Sequence, residues 1–139
     1  MTTNQFDIRP SIIRGDPADA YLHWTKDLMR LESLNPKVLM DFVPARDGVL
    51  CGMEEVKSLL LNVLPKQDPE SSVESLDNES EVWALAEGEE IKSGDPALRI
   101  IANYASFVLY ETSICGILSS STGWATAARE CVEAAANKT

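Results

Sequence analysis

The stretch from Phe107 to Arg129, FVLYETSICGILSSSTGWATAAR, sets the tightest limit on how this chain can fold. Phe107, Val108, Glu111, Ile114, Cys115 and Leu118 recur at intervals of three and four, the spacing of one helix face. Ser119, Ser120, Ser121 and Thr122 then offer side-chain oxygens of the kind that cap helices, and Gly123 follows. The pattern predicts one helix from Tyr104 to Leu118 and a second from Gly123 to about Ala136, meeting at small residues. A seam of this kind needs a surface to pack on, and the rest of the chain must supply it.

Upstream, Asp16-Pro17-Ala18-Asp19 reads as a helix start, because proline suits a first turn that needs no N–H there. A helix from Pro17 to Ser33 is expected, turning Ala18, Tyr21, Leu22, Leu28 and Met29 to one side, and Asn35-Pro36 ends it. Lys37 to Val43 alternates as a strand does, and Gly52 to Leu64 is an amphipathic helix stopped by Pro65. Residues 66–80, KQDPESSVESLDNES, are acidic and serine-rich with little to bury, which predicts a mobile loop. Short strands at Glu81–Ala86 and Leu98–Ala102 flank turns at Glu87-Gly88 and Ser93-Gly94-Asp95-Pro96. Strands that are not regularly separated by helices predict an α+β class in a single domain over residues 1–139, with residues 104–136 as a helical seam.

Composition excludes several classes of function. With 22 acidic and 12 basic residues the net charge is −10, which repels phosphate backbones and anionic membrane surfaces. Neither a nucleic acid nor a membrane is expected as a partner. The first residues have no basic and apolar leader, so a cytoplasmic location is expected. Cys51, Cys115 and Cys131 are odd in number and widely spaced, which predicts buried free thiols. One histidine, His23, cannot build a histidine-rich metal site, and no Cys-x-x-Cys or His-x-x-x-His spacing occurs. Neither glycine-rich phosphate loop is present, so no metal or cofactor is expected on this chain alone.

Three segments invite chemistry. The turn-rich run EGEEIKSGDPALRI resembles the hammerhead of lipoyl carriers, yet none of Lys26, Lys37, Lys57, Lys66, Lys92 and Lys138 has the hairpin-tip setting that a swinging arm needs. The serines at 119–121 and Thr122 lack a partner base at recognisable spacing, which leaves them to capping. Tyr21, His23 and Trp24 beside Asp19 can be read as a packing face with polar rims. They can equally be read as a ring offered to a flat ligand, with Asp19 taking up a polar edge.

Taken in order, Asp19-Ala20-Tyr21, GMEEVKSLL, EVWALAEGEEIKSGDPALRI and YETSICGILSSSTGWATAAR resemble the N-terminal region of nicotinate phosphoribosyltransferases. The resemblance implies an N-terminal α+β domain, a small sheet or half-sandwich with packed helices, lacking the α/β barrel that follows it in the family. It implies that Tyr21 is the tyrosine one subunit stacks on the pyridine ring held by the other's barrel, with Asp19 as its neighbour. The family transfers phosphoribose from phosphoribosyl pyrophosphate (PRPP) to nicotinate for NAD synthesis, with Mg²⁺ and commonly ATP. By resemblance the partner is therefore a barrel-bearing subunit or a second copy in a homodimer, and the isolated chain is inactive. Thr122 stands where the family has serine and Trp124 where it has a small aliphatic residue. Between Glu111 and Thr112 the arginine of the quinolinate enzymes is absent. The alternative, from another class, is a non-catalytic relic that dimerises through its terminal helices.

Overall fold

The structure, a computed structural model, describes residues 6–64 and 80–136. The expected loop at 66–80 therefore lies outside the described residues apart from Ser80. In chain order the elements are α1 (Pro10–Ile13), α2 (Ala20–Leu31), β1 (Lys37–Phe42), β2 (Gly48–Val49), α3 (Met53–Val63), β3 (Glu81–Ala84), β4 (Glu90–Ile91), β5 (Leu98–Asn103), α4 (Tyr104–Phe107), a 3₁₀ turn (Val108–Tyr110) and α5 (Glu111–Ala135). The fold is α+β.

Antiparallel pairing joins β1, β5 and β3 into one sheet in that order, and β2 with β4 into a second, two-stranded one. Alternation along β5 buries Leu98, Ile100 and Ala102, and α3 lays Met53, Val56, Leu59 and Leu60 against them. Phe107 and Ile114 complete this core. The opposite face of the sheet is open, with Leu39 and Trp83 exposed. Between them Arg99 forks onto Asp41 across the strands, Nε to Oδ1 at 2.7 Å and Nη2 to Oδ2 at 2.8 Å. The result is the half-sandwich that the family resemblance implies.

The seam differs from its expected form. The helical run breaks at Val108–Tyr110, and α5 continues without interruption through Ser119–Thr122 and Gly123. Packing explains both changes. Leu22 and Met29 of α2 form a small second core with Val108 and Leu109, so the chain must tighten there to turn those side chains away from the main core. Further along, Thr122, one of the hydroxyls that looked like caps, and Thr126 beyond it find partners on and just after β2. Thr122 Oγ1 accepts from the Cys51 N–H at 3.1 Å, and Thr126 Oγ1 accepts from the Val49 N–H at 3.0 Å. Threonines four apart share one helix face, so α5 seals the edge of β2 with side-chain acceptors where another strand would supply carbonyls.

Glycine makes that approach possible. A Cβ on Gly48 would lie 2.5 Å from Thr126 Oγ1, and one on Gly52 would lie 3.0 Å from Ser121.

Three further expectations change. Asp16–Asp19 precedes α2 rather than opening it, since the helix begins at Ala20 with Asp19 as an extended N-cap. Only Leu22 and Met29 of α2 are buried, while Tyr21, Trp24, Leu28 and Leu31 form an outward stripe. Among the described residues, α2 thus carries a stripe of exposed apolar side chains, whereas α5 exposes Trp124 and Val132 singly. The cysteines are free but not buried: Cys51 is half-buried, and Cys115 and Cys131 are exposed on α5.

Candidate functional site

The two residues singled out by sequence come together with two others from the far end of the chain. Thr112, in the first turn of α5, donates its hydroxyl to Asp19 Oδ2 at 2.9 Å and accepts the Asp19 N–H at 3.3 Å. This two-way clasp fixes the start of α2 against the start of α5. It sets Tyr21, in the first turn of α2, beside Glu111.

Tyr21 is 54% exposed and Trp24 70%, so the reading of this cluster as a packing face does not hold for these two rings. The charge of Glu111, then slight desolvation, then the charge of Asp19 and Cys115 push the Tyr21 hydroxyl above its ordinary pKa. Tyr104 is raised as well, chiefly by burial and then by Glu111 and Tyr21. The two carboxylates that act on Tyr21 are those of Glu111 and Asp19. The arrangement offers a flat, neutral phenol ring at an acidic rim. It can stack on a planar ligand and accept from an N–H, but it gives no cation to a phosphate.

Sequence reasoning placed Glu111 and Thr112 in a helix and did not bring them to Tyr21. The spacing of 93 residues between Asp19 and Thr112 leaves no local signal for such a clasp. A second missed residue is Glu87. It sits in the turn after β3 and reaches the start of α3, whose N-cap is Gly52 at φ +93°, a position with no side chain to do the capping. Burial works against the Glu87 charge. Donation from the Cys51 thiol and from the N–H groups of Gly52, Glu54 and Met53 outweighs it and holds the carboxyl below the usual glutamate range. Glu87 in turn pushes the Cys51 thiol up. The visible clue was negative: the helix starts on glycine without a serine, threonine or aspartate before it.

Among the described residues, no three His, Cys, Asp or Glu side chains converge as a metal site. None of their helices is long and apolar enough to cross a membrane. The anionic rim around Tyr21 does not fit PRPP with its Mg²⁺.

Residues 19–122, a span that runs from the Asp19 clasp to the Thr122 contact, match the family described as Quinolinate phosphoribosyl transferase, N-terminal domain. The chain belongs to this family. A search of curated proteins gives no match. Among solved structures, the crystal structure of nicotinate-nucleotide pyrophosphorylase from Pyrococcus furiosus is similar, with a TM-score of 0.70 and 32% sequence identity. That similarity covers 92% of this chain and 31% of the other, so the phosphoribosyl transferase N-terminal domain spans under a third of that protein's length. At this level the expected kinship with pyridine-nucleotide phosphoribosyltransferases holds. The choice between nicotinate and quinolinate is finer than the family assignment.

Proposed function

We propose that this chain is the N-terminal part of a nicotinate phosphoribosyltransferase, an enzyme of NAD synthesis, and that it contributes Tyr21 to a site shared with a barrel-bearing subunit or a second copy. The observation that carries this reading is the exposed Tyr21 ring held beside Glu111 and Asp19. Nicotinate bears one carboxylate and quinolinate two. A rim that carries the carboxylates of Glu111 and Asp19 penalises the second charge through like-charge repulsion.

On this reading the chain does not break the bond at the sugar. Stabilising an oxocarbenium-like ribose and a departing pyrophosphate needs cations and donors placed at the transition state, and these would come with PRPP and Mg²⁺ in the barrel. ATP, if the complete enzyme uses it, would bind there too. Tyr21 instead orients the pyridine ring so that its nitrogen meets the sugar, which is a positional contribution. Asp19 holds Tyr21 in place through Thr112 and stands at the polar edge of the ligand.

The test is kinetic, in a reconstituted complex with a barrel-bearing partner. Tyr21→Ala should raise the nicotinate KM or lower kcat about tenfold, ~1.4 kcal/mol, with Tyr21→Phe close to wild type. Glu111→Arg should shift acceptor preference toward quinolinate. An unchanged rate for Tyr21→Ala would return that residue to a surface role, and turnover by the isolated chain would overturn the assignment of the donor site to another part.

A further inference from the structure

We draw no further inference here: the strongest candidate, the cleft of about 350 Å³ between β1 and α5, shares Glu111 with the Tyr21 rim already described, and nothing in the structure shows what covers it.

Discussion

Glu87 caps a helix whose N-cap, Gly52, lies 35 residues before it: its Oε1 accepts the Gly52 N–H at 2.7 Å, and its Oε2 accepts those of Met53 at 2.8 Å and Glu54 at 3.2 Å. One carboxylate thus satisfies three of the N–H groups that every helix start leaves without partners, and its charge faces the positive end of the α3 dipole. The Gly88 N–H to Leu50 carbonyl bond at 2.8 Å and the Leu50 N–H to Glu89 carbonyl bond at 2.9 Å hold the turn in place for it. Because α3 carries much of the main core, Glu87→Ala should cost about 1–2 kcal/mol, the range for losing a helix cap. Thermal denaturation followed by circular dichroism should show Tm lowered by several degrees. An unchanged Tm would mean that water caps α3 as well as Glu87 does.

The same carboxylate makes stability depend on pH. Its folded-state pKa is depressed, so the unfolded chain binds more protons in the acid range and stability rises with pH there. The contribution is complete above the ordinary glutamate pKa of about 4.5 and is lost as pH falls through the lower folded value. Asp47, held down by the Ser93 N–H and the Lys92 ammonium, and Asp41, held down by Arg99, act in the same direction. Urea denaturation between about pH 5 and 3 should therefore show a steep loss of stability that is shallower in Glu87→Gln. Parallel slopes for the two proteins would exclude Glu87 from this effect.

The seal between α5 and β2 rests on Gly48 and Thr126. Thr126→Val keeps the shape but leaves the Val49 N–H without an acceptor, at a cost of about 1–2 kcal/mol. Gly48→Ala forces a methyl against Thr126 Oγ1, at a cost of about 1–3 kcal/mol. Since both act at one contact, Gly48→Ala combined with Thr126→Ala should cost less than the sum of the single changes by at least about 0.5 kcal/mol. Denaturant midpoints of the wild type, Gly48→Ala, Thr126→Ala and the double change measure this coupling, and additivity would show that the two sites do not bear on each other.

Tyr21 projects from α2 with its ring over half exposed. Tyr21→Ala should change the stability of the isolated chain by no more than about 0.5 kcal/mol, as surface substitutions do. Measured beside the kinetic effect proposed above, this separates loss of a ligand contact from loss of fold. A drop in Tm of many degrees would mean that the ring supports the α2–α5 junction.

The elements buried along one face were legible in the chain. For α3, Met53, Val56, Leu59 and Leu60 at helical spacing predict both the helix and its buried side, and for β5 the alternation of Leu98, Ile100 and Ala102 does the same. Periodicity works there because each element meets a single apolar partner. It fails on α2, where Tyr21, Leu22, Leu28 and Met29 are all apolar enough to be inside, and only the position of Val108 and Leu109 selects Leu22 and Met29. The candidate site was half legible. Tyr21 and Asp19 could be named from sequence, while their fixed setting depends on Thr112 and Glu111.

What the sequence by itself determined is the α+β class, the apolar faces of α3 and β5, and the candidate aromatic at Tyr21, because these follow from spacing and side-chain type within a few residues. What only the tertiary structure decided is where α5 begins, why its run of serines and threonines does not end it, what caps α3, and which residues surround Tyr21. Each of those turns on a polar group finding its partner tens of residues away: Thr122 at Cys51, Thr126 at Val49, Glu87 at Gly52 and Thr112 at Asp19. A hydroxyl or carboxylate can serve a cap, a strand edge or a clasp equally well, and the packed fold selects which by bringing one backbone N–H within reach and leaving the others to water.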